Sequence, residues 1–456
     1  MTTPRTQRRR AQRQRAKAAA AAAARADVAP DPLTLLRRLP LELQADIHRR
    51  GLPFLTRLAV ASAVCAASGS ASLLKPEAPW LVLPGKADDD GDERATLVSV
   101  ADGGAAAAVR ATAPAMRGHV VLGSGGGWLV TADARGALRM ANPATGAQAD
   151  LPPITTIPFL ARRTDDSGGH FTLAAEPFLQ LRYGGRPPPA DETSTWAPIP
   201  ARSSTLAASQ MRQWFYRKVV LAASPRPDSY AAMLLLDPSL GSPAFATAED
   251  PVWRVTPHRD GVEDAIHHDG RFYSISYSGV VEAWDRDADT GEFTSTVVTR
   301  RLQAANPGDG DKPCRKYLAV APDGRLVAVV KGAMEEPPYF RRRSETAPPV
   351  AFAVHVYDGE RGAWERARGG GVAGDAAVAG CVYYADDELG EAALRHELQE
   401  PYEPYGKYHA VYGKDATAEL RHVGVYSLRT GTAEAVADLG EHRCWPPPAW
   451  VTPSFI

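Results

Sequence analysis

The chain reads as mainly β, built from short antiparallel units that recur along it. Phe272, Ser274 and Ser276 alternate with Tyr273, Ile275 and Tyr277. That is the period of two a half-buried strand requires. Ser278-Gly279 supplies a tight turn, and Val280-Val281-Glu282-Ala283-Trp284 runs back. The same grammar then reappears. Gly127–Ala132 leads through Asp133-Ala134-Arg135-Gly136 into Ala137–Met140 and the turn Asn142–Gly146. Tyr317–Ala321 leads through Pro322-Asp323-Gly324 into Arg325–Val330, and Val423–Leu428 ends in Arg429-Thr430-Gly431. Repeated strand units with Gly-rich turns predict a β-propeller. Its blade number is expected to be six or seven, within the usual range of roughly 4–8.

The elements follow in order. Residues 1–30 are an Arg/Gln run followed by alanines from Ala18 to Ala24. They hold too little apolar surface to offset ordering entropy, so a disordered tail is expected. Its RRRAQRQRAK stretch, Arg8 to Lys17, fits a nuclear localisation sequence, a nucleic-acid contact, a transit peptide or a solvated extension. Residues 31–72 change character. Asp31-Pro32 is a cap and first-turn proline for a helix, Leu43 and Ile47 share a helix face, and Leu55, Leu58, Ala59 and Ser62 resume the helical period after Leu52-Pro53. Such a small helical unit buries little by itself and wants a partner. β character begins at Trp80 and runs to residue 456.

Long polar stretches interrupt the β region at 184–213, 303–313, 334–349 and 386–420. In a propeller such loops build the two faces and are candidate recognition elements. Arg341, Arg342 and Arg343 make a local positive patch, and Tyr402, Tyr405, Tyr408 and Tyr412 supply amphipathic contact area. Arg341, Arg342, Arg343, Tyr402, Tyr405 and Tyr408 are the expected substrate-binding residues.

Composition is that of an ordinary globular chain, 44% apolar and 23% charged, with a net charge of −1. The charge is uneven. Seven arginines and Lys17 lie between Arg5 and Arg25, leaving 44 basic against 53 acidic residues, a net of −9, on the rest. Cys65, Cys314, Cys381 and Cys444 form no C-x-x-C pair, which points to neither a zinc site nor a dithiol redox site. No apolar run reaches the roughly 18–20 residues of a membrane helix. The tail lacks the apolar core of a secretory signal. A nuclear or cytoplasmic location is expected, with no membrane partner and no cofactor or metal.

Two resemblances carry the functional expectation. Leu39-Pro40-Leu41-Glu42-Leu43, Ile47, Leu52-Pro53, Leu55, Leu58 and Val64-Cys65 resemble an F-box, with Ala66 and Ser68 standing where that pattern has Arg and Trp. The segments PWLVLP (Pro79–Pro84), GSGGGWLVTAD (Gly123–Asp133), NPATG, LPPITTIPF (Leu151–Phe159), YRKVVL (Tyr216–Leu221), DGVEDAIHHDGRFYSISYSGVVEAWD (Asp260–Asp285) and WPPPAWVTPS (Trp445–Ser454) resemble the KIB-type propeller found with F-boxes in plant proteins. The resemblance implies a substrate-receptor subunit of an SCF-type ubiquitin ligase. Leu39, Pro40, Leu43, Ile47, Leu52, Leu55, Leu58, Val64 and Cys65 would dock a Skp-type adaptor, which leads to the cullin-RING core. The propeller would hold an unidentified substrate protein, and no catalytic residue is expected in this chain.

Enzyme readings are weaker on residue grounds. His267-His268-Asp269 precedes Gly270, a turn signal at a strand end, and adjacent strand residues point to opposite faces. Gly123–Gly127 lacks the Gly-Lys-Ser/Thr ending of a phosphate loop and leads into a strand. Glu263, Asp264, Asp285, Asp287 and Asp289 read as turn carboxylates. Trp128, Trp253, Trp284, Trp364 and Trp445 read as inter-blade core. The alternatives are a propeller interaction module with a degenerate F-box and no ligase role, and a propeller hydrolase. Nucleic-acid binding rests on the tail alone and is not expected.

Overall fold

The computed structural model describes residues 79–83, 95–99, 108–110, 119–143, 146–163, 169–174, 203–222, 225–236, 240–256, 258, 260–302, 315–321, 324–331, 352–367, 381–385, 423–436 and 448–451. The chain divides into two units, Met1–Lys75 and Pro76–Ile456, and every described residue lies in the second.

Alternating side chains become antiparallel ladders, and among the described residues there are seven sheets. The first holds β1 (Trp80–Leu83), β2 (Thr96–Ser99) and β3 (Ala108–Arg110). The second is β4 (Val120–Gly125), β5 (Trp128–Ala132), β6 (Leu138–Ala141) and β7 (Gln148–Asp150). The third has β8 (Leu160–Arg163), β9 (His170–Ala174) and β10 (Ser203–Ala207). The fourth is β11 (Tyr216–Leu221), β12 (Ala231–Leu236), β13 (Pro243–Thr247) and β14 (Arg254–Val255). The fifth is β15 (Val262–His268), β16 (Arg271–Ser276), β17 (Val281–Arg286) and β18 (Phe293–Val297). The sixth is β19 (Arg315–Val320), β20 (Leu326–Lys331), β21 (Phe352–Asp358) and β22 (Ala363–Arg366). The seventh is β23 (Cys381–Tyr384), β24 (Gly424–Ser427) and β25 (Thr432–Ala435).

The last strand, β26 (Ala449–Val451), returns to the first sheet. It pairs antiparallel with β1, Trp80 opposite Val451 and Val82 opposite Ala449. Trp80–Leu83 is therefore beside Trp450, as expected for a ring that joins its ends to leave no open inner edge.

Turns follow the glycine punctuation. His268 pairs with Arg271 across a two-residue turn in which Asp269 and Gly270 both have positive φ, 46° and 76°. That is the hairpin turn whose twist matches the flanking strands. At the other end of β16, the Gly279 amide donates to the Ser276 carbonyl and the Ser276 amide to the Val280 carbonyl, both at 2.9 Å.

The apolar faces pack between sheets. Phe245 of the fourth sheet meets Phe272, Trp284 and Phe293 of the fifth, with the Phe245 and Phe293 rings stacked at 4.2 Å. Ile275 and Val281 pack with Leu318 and Val330, joining the fifth and sixth sheets. Val329 and Phe352 meet Tyr426, joining the sixth and seventh. Val423 and Val436 meet Leu81 and Val98, joining the seventh to the first. Trp128, Trp253 and Trp284 are buried core, as large aromatic side chains are expected to be, while Trp364 is half-buried. Trp284 Nε1 donates to Ser274 Oγ at 2.8 Å, and Trp253 Nε1 to the Pro152 carbonyl at 2.8 Å. These two buried indoles thereby satisfy their polar handles, whereas the buried Trp128 Nε1 has no hydrogen-bond partner among the described residues. Trp445 lies outside the described residues.

One departure from the sequence expectation has a physical cause. The stretch 184–213, read as a loop, contains β10 and the start of a helical segment running from Ala208 to Phe215. Ala208, Met211 and Phe215 are buried in the cluster shared by the second, third and fourth sheets, so packing overrides the polar composition of the flanks. The third sheet does not separate its neighbours. β4 lies directly against β11, and a Cβ on Gly123 would stand 2.0 Å from the Val219 carbonyl oxygen. Only glycine lets two backbones come this close.

Candidate functional site

The expected adaptor residues, Leu39, Pro40, Leu43, Ile47, Leu52, Leu55, Leu58, Val64 and Cys65, lie outside the described residues, as does the tail. So do Arg341, Arg342, Arg343, Tyr402, Tyr405, Tyr408 and Tyr412. The described residues instead bring together a polar cluster on the first strands of neighbouring sheets.

These strands gather side by side: β26 against β4, β4 against β11, β11 against β15, and β15 against β19. β15 carries Glu263-Asp264, and its register against β16 shifts between Val262 and Asp264. Such a bulge breaks strict alternation and re-aims a side chain. The two adjacent carboxylates thus reach both flanking strands. Glu263 Oε2 accepts from Lys316 Nζ of β19 at 2.9 Å, and Glu263 Oε1 accepts from the Lys316 amide at 3.2 Å. Asp264 Oδ1 accepts from Lys218 Nζ of β11 at 2.6 Å, and Oδ2 from the Leu318 amide of β19 at 2.8 Å. Three strands from three sheets are fastened at one point.

The clasp is deeply placed on one side. The Glu263 side chain is 4% exposed and that of Lys316 11%. Burial pushes the Glu263 carboxyl above its ordinary value, opposed by the Lys316 ammonium and hydrogen bonds and by Arg217. This corrects the sequence expectation for these carboxylates. Glu263, Asp264 and Asp285 are on strands; Asp287 and Asp289 belong to the turn after β17. One signal was available: β11 and β19 each carry an Arg-Lys pair within their first three residues, Arg217-Lys218 and Arg315-Lys316. What the sequence does not say is that both strands flank β15.

Around the clasp, Arg217 Nη1 donates to the Tyr277 hydroxyl at 2.7 Å, and Ser278 Oγ donates to Asp260 Oδ2 at 2.9 Å. In the connection before β15, buried His258 contacts Glu282 of β17 through Nε2 at 2.9 Å. Burial raises the Glu282 carboxyl, but the His258 contact and the Ser295 hydroxyl outweigh it and hold it below its ordinary value. His267 and His268 diverge: His267 stands edge-on to Phe272 with ring centres 5.0 Å apart, and His268 lies beside Tyr273. Burial lowers the His267 value. Among the described residues no three His, Cys, Asp or Glu groups converge as metal ligands, and no helix is long and apolar enough to cross a membrane. Arranged this way, the charges hold sheets together.

The KIB1-4 beta-propeller family model matches residues 97–371, more than half of the chain. The chain belongs to this family. The many antiparallel sheets and the returning last strand are its propeller. No curated protein matches the chain. Among solved structures, "Structure of U3-55K" is 12% identical with a TM-score of 0.24, covering 54% of this chain and 51% of that one. The Cps50 (Swd1) beta-propeller domain of Myceliophteria thermophila is 9% identical at a TM-score of 0.27, covering 60% and 80%. A 6-phosphogluconolactonase, so described, of Bacteroides fragilis is 13% identical at 0.26, covering 64% and 81%. The chain spans about half the length of the first. At these TM-scores the likeness carries no weight in the assignment.

Proposed function

We propose that this family member is the substrate-receptor subunit of an SCF-type ubiquitin ligase, with the propeller holding the target protein and residues 31–72 docking a Skp-type adaptor. One observation carries the reading: an F-box-like run from Leu39-Pro40 to Val64-Cys65 stands directly before a KIB1-4 propeller. The division of labour is physical. An apolar helical stripe suits a helix-on-helix interface, and a rigid ring with long loops suits protein recognition. The chain itself is proposed to be non-catalytic. A propeller hydrolase needs a converging pair of available carboxylates, and Glu263 and Asp264 are engaged by Lys316 and Lys218.

The ring is proposed to have six blades. Direct contact of β4 with β11 supports this count, with β8–β10 as an accessory sheet beside them. The loops 334–349 and 386–420 are proposed to select the target through Arg341–Arg343 and Tyr402, Tyr405 and Tyr408.

Adaptor capture tests the reading. Leu43→Asp should abolish recovery of the adaptor and leave the thermal unfolding of the propeller unchanged. Equal loss of both would make these residues ordinary core, and no recovery by the unmodified chain would remove the ligase role. Ala66 and Ser68 in place of Arg and Trp favour the second reading, a propeller interaction module with no ligase partner. Under that reading, deleting 386–420 still alters the recovered partners although adaptor capture fails throughout.

A further inference from the structure

We propose that the outer edge of the fifth sheet, strand β18, is a docking site for an extended acidic peptide that adds to the sheet as a further strand. The outer strands of the other four-stranded sheets are blunted. β14 has 2 residues, and β7 and β3 have 3 each, β7 ending in Asp150, while β22 carries Glu365 and Arg366. Short length and charge are the usual protections of a sheet edge. β18 has neither. It is Phe-Thr-Ser-Thr-Val, 5 residues without a charge, exposed from Thr294 to Val297. The residue types favour strand.

Its free backbone groups can be assigned. Glu282 faces Val297, and the Val298 amide donates to the Val281 carbonyl at 2.9 Å. Antiparallel pairs alternate between bonded and non-bonded. The inward bonds therefore pass through Thr294, Thr296 and Val298, and the amides and carbonyls of Phe293, Ser295 and Val297 point outward. An extended peptide would meet a row of unpaired donors and acceptors, the main-chain mode of strand addition.

The end of the strand says what the peptide should carry. A groove of about 490 Å³ opens there, lined by Val280, Val297, Val298, Arg301, Tyr357 and Gly362. Val297 is 67% exposed and Val298 38%, two of the three large apolar side chains exposed among the described residues. The floor is fixed from the sixth sheet, where Trp364 Nε1 donates to the Arg300 carbonyl at 3.0 Å and the Tyr357 hydroxyl to the Val298 carbonyl at 3.2 Å. Arg300 and Arg301 are exposed at its mouth. Neither makes an ion pair among the described residues, whereas neighbouring Arg361 is held by Asp358 and Glu365. Two spare guanidiniums beside an apolar strip match an apolar strand ending in carboxylates. The inference rests on the propeller being a protein-binding body and not on the ligase role, and the two fail separately.

The test is fluorescence anisotropy with the full chain and a labelled peptide of alternating valine and threonine, with a glutamate pair at each end so that either strand direction is served. A control peptide carries lysines instead. Saturable binding of the glutamate peptide and much weaker binding of the lysine peptide are expected. Val297→Pro removes an outward amide at a position that tolerates proline and should weaken binding by about tenfold or more. Val297→Lys, which places a charge on the edge without a backbone constraint, should do the same and serves if the proline variant does not fold. The double variant Arg300→Glu with Arg301→Glu should reverse the preference between the two peptides. Absence of saturable binding, equal binding of both peptides, or unchanged affinity in a folded Val297 variant would each overturn the proposal.

Discussion

Replacing Lys316 with methionine tests the clasp between β15 and its neighbours. The substitution preserves much of the side-chain volume and removes the charge that compensates Glu263. That carboxyl is 4% exposed and its partner 11%, so solvent gives little relief. Breaking such a buried pair from one side costs about 3–5 kcal/mol. The unit Pro76–Ile456 holds roughly 380 residues, with an unfolding entropy of about 0.8 kcal/mol/K at about 2.1 cal/mol/K per residue, so about 4 kcal/mol lowers the melting midpoint of a cooperatively unfolding ring by about 5 °C. The deficit depends on pH. Loss of Lys316 lets burial push the Glu263 carboxyl further above its ordinary value. A raised folded value contributes stability below the unfolded value and loses it as pH rises through the folded one. The variant should therefore lag most at neutral pH and recover toward acid. Adding Glu263→Gln should restore part of the loss, because a neutral amide costs less to bury than a lone carboxylate. Differential scanning calorimetry of wild type, both single variants and the double variant, at neutral and acid pH, reads each quantity. A Lys316→Met midpoint within about 1 °C of wild type, or additive singles with no coupling, would refute the clasp as an energetic element.

Gly123→Ala should destabilise at or beyond the upper end of the roughly 1–3 kcal/mol typical of overpacking, because its Cβ meets the Val219 carbonyl at 2.0 Å. Gly125→Ala, with its nearest atom at 3.6 Å, should stay within about 1 kcal/mol of wild type, and thermal melts of the pair check the contrast. Truncation before Ala449 removes β26 and uncovers the edge of β1, whose Leu81 and Val82 are fully buried; a loss of about 3 kcal/mol or more and concentration-dependent aggregation are expected, read by melting and light scattering. Glu282 is held below its ordinary value, so its contribution is present above that value and is lost as pH falls through the folded one. Glu282→Gln should flatten the part of the stability profile that falls off as pH drops below the ordinary glutamate value of about 4.3, measured by denaturant midpoints.

The sequence by itself determined the strand grammar and several turns. Asp269-Gly270 needs positive φ at both positions, and alternation from Phe272 to Ser276 selects a face. These are local constraints acting over a few residues, so a single chain displays them. Trp128, Trp253 and Trp284 were legible as core for the same reason: large apolar groups on strands bury themselves. Tertiary structure decided the rest. Asp264 and Glu263 find their lysines 46 and 53 residues away on different sheets, and nothing local to Asp260–Asp285 says which strands will flank β15. β10 lies in a Ser/Thr-rich stretch and is a strand because β9 offers it an edge and because Met211 and Phe215 just beyond it fill a core shared by three sheets. β18 is an uncharged Phe-Thr-Ser-Thr-Val run; only the ladder shows which of its backbone groups remain unpaired, because hydrogen bonding to one neighbour is what leaves the other side free.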